Sequence, residues 1–315
     1  MGEDSSTPAE VPRSPAATSQ SSASISAAGS PTPARHFDHL YLLVSSLTDG
    51  SRYIESAGFR ATPVGHHGSG LGTANTTIMM PDERTYFELL TDTEPTPANA
   101  EKRQVLAERG NHMAGIAFDW PVDEAYATFA DAGLDDGAPF HFQRPVDMPD
   151  GQKDAHFDVA MTRPEALPVA RLFAITHHSR EIVWRPDYLS HPNGATAVTA
   201  LVGICADPKS VFDSWSRLLD GQVVMEADGV HIRTGTATIL FLTPDAYRTR
   251  YGRDTHADPV RLDIIEVAVR NLELCATHLK KNGVGFSEPP AGGILTDHEP
   301  SIGASFHFVE ARNDW

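Results

Sequence analysis

One pattern returns four times along this chain, and it constrains the fold more than any local propensity can, because a repeated unit specifies architecture. An apolar run, a helical stretch, a glycine turn and short strand-like runs follow one another in that order. The first copy opens with Phe37-Asp38-His39-Leu40-Tyr41-Leu42-Leu43-Val44, continues with a helical stretch over 47–57, turns at Gly58-Phe59 and closes on Tyr86-Phe87-Glu88-Leu89-Leu90. The second starts at Gly115-Ile116-Ala117-Phe118, has its helix near 122–132 and turns at Gly133-Leu134. Leu201-Val202-Gly203-Ile204-Cys205, a helix over 210–219 and Asp220-Gly221 make the third; Ile264-Ile265-Glu266-Val267, a helix over 272–281 and Asn282-Gly283 make the fourth. The strand-to-glycine offsets nearly agree: 58 minus 39 is 19, 133 minus 115 is 18, and 283 minus 264 is 19. Glycine at each helix end supplies the left-handed cap that stops the helix and returns the chain to a strand.

Four units of one strand, one helix and three strands account for almost all of residues 37–310. The fold expected is α+β, with four βαβββ modules paired into two open, cupped mixed sheets. A chain of 315 residues with 40% hydrophobic side chains can fill two ordinary cores, which suits that count. The domains expected are 36–194, with modules one and two, and 195–315, with modules three and four. The alternative is an unrelated set of mixed hairpins and helices. Residues 1–35 are built from Ser, Ala, Pro and Thr with almost no large apolar side chain, so they read as a disordered tail. Glu3, Asp4 and recurrent proline argue against a signal peptide.

Charge and cysteine usage narrow the partners. With 42 acidic against 25 basic residues the net charge is -17, which repels phosphate backbones and anionic lipid, so neither nucleic acid nor membrane is expected. No apolar run approaches the roughly 18 residues of a spanning helix. Cys205 and Cys275 stand alone in apolar surroundings, as core thiols of a cytoplasmic protein do.

The chemistry-bearing residues of module one are His39 in its first run and Glu88 in its last. If these outer strands lie side by side, imidazole and carboxylate meet over one sheet face, which is how a divalent metal would be held. A carboxylate in an apolar strand needs a cation or donors to offset its desolvation, and Arg60 or Arg84 could serve as well as a metal. For His39 the alternative is a structural histidine bonded to a backbone carbonyl. The loop Gly65-His66-His67-Gly68-Ser69-Gly70-Leu71-Gly72-Thr73-Ala74-Asn75 lies at the expected mouth of the cup and offers His66, His67 and Asn75 to a substrate. It lacks the Lys-Ser/Thr of a phosphate-binding loop. Glu88 and His67 are the candidate acid–base groups. Arg180 and Trp184 could hold an anionic or aromatic substrate, or pin a linker. Neither a Gly-x-Ser-x-Gly elbow nor a His-Glu-x-x-His helix occurs.

The recurrence resembles the vicinal oxygen chelate superfamily. More narrowly, Asp38-His39, Gly58-Phe59, Gly72-Thr73-Ala74-Asn75, Tyr86-Phe87-Glu88-Leu89 and His191-Pro192-Asn193-Gly194-Ala195 are similar to its glyoxalase-like branch. That resemblance implies a cup holding a divalent metal, with ligands on the first and last strands of paired modules. His39 and Glu88 match those positions in module one. In module two Gly115 stands where the first-strand ligand would be, and the last strand ends in His177-His178, of which only one can face the cup. His178 shares a face with the small Ala174 and Thr176 and is the preferred ligand, with His177 close behind. Leu201 and Ile264 leave no such corner in the second half, although His231, Glu266, His307 and Glu310 could form another cluster.

The function expected is metal-dependent, with Fe, Mn, Zn or Ni stabilising an oxyanion on a small substrate with adjacent oxygens, in lyase or isomerase chemistry. An extradiol-type dioxygenase acting on an aromatic substrate, and a metal-free binding or resistance protein, are the alternatives. The partner is a small-molecule substrate, and a homodimer is compatible with this reading.

Overall fold

The computed structural model describes Met1 and residues 35–68, 70–255 and 259–311; the tail expected at 1–35 falls, but for Met1 and Arg35, outside the described residues. Each copy of the repeat is one strand, one helix and three strands. Module one comprises β1 (His36–Leu43), α1 (Leu47–Ser56), β2 (Gly65–His66), β3 (Thr73–Met79) and β4 (Tyr86–Asp92). Helix α2 (Ala100–Arg109) leads to module two, made of β5 (His112–Asp119), α3 (Val122–Asp131), β6 (Phe140–Met148), β7 (Gly151–Met161) and β8 (Arg171–His177). A short helix α4 (Arg180–Val183) precedes module three, with β9 (Ala195–Ile204), α5 (Pro208–Ser216), β10 (Val223–Glu226), β11 (Gly229–Arg233) and β12 (Thr238–Leu242). Helix α6 (Pro244–Tyr251) joins it to module four: β13 (Arg261–Val269), α7 (Leu272–Lys281), β14 (Phe286–Ser287), β15 (Ile294–Thr296) and β16 (Ser305–Glu310). The glycines read as helix stops, Gly58, Gly133, Gly221 and Gly283, have φ of 85°, 64°, 77° and 70°.

The modules pair into two eight-stranded mixed sheets of one design, β2-β3-β4-β1-β5-β8-β7-β6 and β10-β11-β12-β9-β13-β16-β15-β14. Within a module the first strand runs parallel to the last; between modules the first strands meet antiparallel. A single apolar core joins the two sheets: Leu40, Phe87 and Ile116 from one, Leu201, Ile265 and Phe306 from the other, and Ile54, Phe129, Trp215 and Leu279 from the four module helices. No described helix is long and apolar enough to cross a membrane.

Two helices outside the repeat matter to the cups. Helix α2 buries no residue, so its sequence carries no stripe to betray it. Helix α6 starts at a legible cap, the Thr243 hydroxyl accepting from the Ala246 amide with Pro244 following, and it fills the second cup. Its Tyr247 and Tyr251 pack on Val202, Leu240, Ile264 and Leu295.

Candidate functional site

The concave face of the first sheet encloses a cavity of about 430 Å³, a volume suited to a small organic ligand. Side chains alternate across a strand, so every second residue enters it: His39 and Tyr41 from β1, Thr73, Asn75 and Thr77 from β3, Tyr86, Glu88 and Leu90 from β4, and Phe173 and Ile175 from β8. Phe140, Phe142 and Arg144 from β6 and Phe157, Val159 and Met161 from β7 close the far wall. The body of the cup is therefore aromatic and aliphatic.

His39 and Glu88 share this face because β1 and β4 run parallel in a register that sets His39 beside Tyr86 and Tyr41 beside Glu88. The His39 ring stacks on Tyr86 with centroids 4.2 Å apart and meets Phe173 edge-on. Its Nδ1 lies 2.7 Å from Asp38 Oδ1. Consecutive strand residues ordinarily point to opposite faces. Here the register of β1 on β5 slips between Phe37 and His39, and that bulge re-aims Asp38 toward its neighbour. With Nδ1 held by a carboxylate, Nε2 is the nitrogen His39 offers the cavity.

Asp38 is the electrostatic centre beneath the cup floor. It is 1% exposed, and its Oδ1 also lies 3.2 Å from His177 Nε2, while Arg180 Nη1 stands 3.6 Å from Oδ2. Burial alone would raise its carboxyl, but attraction and hydrogen bonds from His177 and His39 outweigh that, and the group is held well below the usual carboxylate range. Arg180 caps this cluster with its guanidinium 3.9 Å over the Trp184 ring and donates to Glu83 O. Neither Arg180 nor Trp184 lines the cavity; buried Trp184 packs edge-on against Tyr86 and His177.

A second polar group stands at the other side of the cup. Asn75 Nδ2 donates to Glu88 Oε2 at 2.6 Å. Arg144 and Lys102 also line the cavity; burial lowers both, and Glu88 partly offsets this for Arg144. The carboxylate of Glu88 thus has a cation and an amide for company, rather than Arg60, whose guanidinium bonds Asp187 O. His67 bonds Thr73 Oγ1 through Nδ1 at 2.7 Å, and burial lowers it, so it is neutral near pH 7. His66 is exposed outside the cavity.

Of the histidine pair, His177 turns toward the cup floor and His178 away from it. The residues of β8 that line the cavity are Arg171, Phe173 and Ile175, whereas Ala174 belongs to the core on the other face. The small residues that favoured His178 thus make room for helix packing, and His178 bonds Asp158 on the outer surface. Gly115 faces the cup, and its side-chain space is taken: a Cβ there would stand 1.9 Å from Tyr41 Cε1. In the second half Glu266 bonds His307 Nδ1 at 3.0 Å, and the other ring nitrogen ends on Gly292 O at 2.8 Å, so no nitrogen of His307 is left over. His191, in the segment joining the halves, is pinned between Met79 O and the Arg60 amide and lowered to about 4 by burial, which makes it a neutral structural residue.

Reading residues alone missed Arg144 and Lys102, which lie in polar stretches without a pattern, and gave Asp38 no role. The signal for Asp38 was present: an acid inside an otherwise apolar strand, next to the histidine, must have a partner.

Whether the cup suits a divalent metal turns on its donors. His39 Nε2 and Glu88 are ligand types such ions accept, with Asp38 and Asn75 placed behind them as orienting partners. Module two adds no ligand at the matching strand positions, since Gly115 is filled by Tyr41 and Phe173 faces the cup, and its Asp136, which lines the cavity, pairs with Arg171. Among the described residues no further His, Cys, Asp or Glu joins His39 and Glu88 in a group whose ligand atoms lie within 4.8 Å of one another. The residues fit a two-ligand centre, one fewer than the three protein ligands usual at catalytic zinc, with the other positions left to water and substrate oxygens.

Comparison with known proteins agrees with this architecture. A family model described as a glyoxalase-like domain matches residues 37–219. Among solved structures, a hypothetical protein from Staphylococcus aureus superposes with a TM-score of 0.62 at 11% identity, covering 88% of this chain and 99% of its own. A mutant of 4-hydroxymandelate synthase from Streptomyces coelicolor gives a TM-score of 0.55 at 12% identity, over 90% of this chain and 95% of that one. A xylose isomerase-like TIM barrel/4-hydroxyphenylpyruvate dioxygenase fusion protein gives 0.54 at 13%, over 91% and 51%. Among curated proteins no match is found.

Proposed function

Because the chain belongs to the glyoxalase-like domain family, within the vicinal oxygen chelate superfamily, we propose that its first cup is the active site of an enzyme acting on a small molecule with an apolar body and adjacent oxygens. The observation that carries this reading is the pair His39 and Glu88, on one face of neighbouring parallel strands in a 430 Å³ cavity, with a buried carboxylate behind the imidazole. When bound by His39 and Glu88, a divalent ion would supply Lewis-acid stabilisation of charge developing on a substrate oxygen.

The chain's own groups supply the rest. Asp38 holds the proton on His39 Nδ1 and so keeps Nε2 directed at the cavity. Asn75 occupies Glu88 Oε2, which leaves Oε1 to ligate or to take a proton from carbon beside a carbonyl. Neutral His67, bonded to Thr73 of β3, is the second acid–base group. Arg144 and Lys102 draw in an anionic end, while Tyr86, Phe142, Phe157 and Phe173 hold the apolar body and exclude water. Proton transfer of the lyase or isomerase kind suits this set better than oxygen chemistry. A second reading, ligand binding without turnover, is favoured by module two, where Gly115 and Phe173 stand at the ligand positions and the cavity-lining Asp136 pairs with Arg171.

Elemental analysis of the purified protein tests the assignment. The cup should hold about one equivalent of transition metal, so His39→Ala and Glu88→Ala should each carry about one equivalent less than the wild type; a wild type with no more metal than either variant, and with the same ligand binding, overturns it. Oxygen uptake with catechols would reveal a dioxygenase instead.

A further inference from the structure

The outer face of the first sheet carries a cluster that the cup does not use. His141 on β6 stands opposite Asp158 on β7, Asp158 stands opposite Thr176 on β8, and His178 follows directly after β8, its amide bonded to His156 O. Three adjacent strands thus deliver two imidazoles and a carboxylate to one face. Asp158 Oδ1 lies 2.8 Å from His141 Nδ1, and its Oδ2 lies 2.6 Å from His178 Nε2. One ligand atom from each of the three residues falls within 4.8 Å of the others. We propose that His141, Asp158 and His178 form a divalent-cation site of the zinc class, separate from the cup.

Two imidazoles and a carboxylate are a donor set that Zn(II) and Co(II) accept and that Mg(II) and Ca(II) do not favour. Ligand atoms around tetrahedral zinc stand roughly 3.3 Å apart, given metal–ligand bonds near 2.05 Å. The present separations of 2.6 and 2.8 Å are proton bridges. Replacing those protons by an ion needs an opening of roughly half an ångström, which half-exposed side chains allow. His156 Nδ1, 3.3 Å from His141 Nε2, steadies the first imidazole and leaves Nδ1 facing Asp158. Among the described residues no lysine or arginine pairs with Asp158. The other three-residue cluster among the described residues, two carboxylates and one imidazole at Glu226, Asp228 and His231, already has Arg233 on Glu226.

The position gives the site a consequence. Strands β6 and β7 show His141, His156 and Asp158 outward and Phe142, Phe157 and Val159 to the cavity. An ion on the outside would clamp the wall of the cup, of which β6 is the sheet edge. Its ligands must shed protons, so affinity falls on acidification.

Zinc titration by calorimetry after chelator treatment tests this, on the wild type, Asp158→Asn, His178→Gln, and His39→Ala as the control for the cup. Beyond the equivalent assigned to the cup, the wild type should bind one that both outer-face variants lose or bind at least about 100-fold more weakly, and that His39→Ala retains. Zinc at about 100 times Kd should raise the wild-type Tm by roughly 4–5 °C and leave that of Asp158→Asn unchanged. Equal zinc affinity in wild type and both outer-face variants, or no zinc-dependent Tm shift in the wild type, overturns the site. Loss of zinc only in His39→Ala would overturn it while leaving the cup assignment standing.

Discussion

Replacing Asp38 with asparagine keeps the shape of the side chain and removes the charge that two imidazoles and a guanidinium share. The carboxylate is 1% exposed, with His39 Nδ1 at 2.7 Å, His177 Nε2 at 3.2 Å and Arg180 Nη1 at 3.6 Å. Solvent screens almost none of this, and removing one partner from a buried charged cluster costs roughly 3–5 kcal/mol. That is a large share of a total stability of about 5–15 kcal/mol. The loss should appear as a Tm lowered by roughly 5–10 °C. Its pH dependence is the sharper test. The folded carboxyl is held well below its unfolded value, so its contribution is complete above the unfolded pKa and is lost as pH falls toward the folded one. Denaturant titrations of wild type and Asp38→Asn should differ by a constant amount from pH 7 to about pH 5. Below about pH 4 the gap should close by about 1.4 kcal/mol per pH unit. A gap under about 1 kcal/mol at pH 7, or one that stays level down to pH 3, refutes a buried carboxylate stabilised by these neighbours.

Three further outcomes follow from the packing. Gly115→Ala should push the Tyr41 ring roughly 1.5 Å toward the cavity and cost about 1–3 kcal/mol, and Tyr41→Ala in the same chain should relieve much of the clash; denaturant unfolding of the single and double variants measures the coupling. Burial pushes the Cys205 thiol up to about 11 and that of Cys275 up to about 12, so neither should react with a thiol reagent in the native protein at pH 8, and both should react in guanidinium. Tyr251→Ala in α6 should cost roughly 3–5 kcal/mol and open the second cup, seen as new binding of an apolar dye alongside the lowered denaturation midpoint.

The repeat was legible because its punctuation is local. A helix that ends at glycine, followed by short alternating runs, needs no tertiary information, and Gly58, Gly133, Gly221 and Gly283 show it at nearly equal distances from the strand that opens each module. Equal modules then imply paired sheets of equal design. The placement of His39 and Glu88 on one face was likewise within reach, since strand alternation and a parallel register settle it together. That Asp38 needs a partner was also within reach, but its orientation was not, because that depends on a bulge against β5, a strand that begins 74 positions later in the chain.

By itself, the order of residues determined the module count, the helix stops, the candidate pair of module one and the exclusion of a spanning helix, all of which rest on spacings of a few residues. Only the folded chain decided that Tyr41 fills the space beside Gly115, that α6 fills the second cup, and that His177 and His178 part to opposite faces of β8. Those outcomes depend on which surfaces meet across a sheet. Neighbours along the chain carry no record of the bulk and charge that distant strands bring against them.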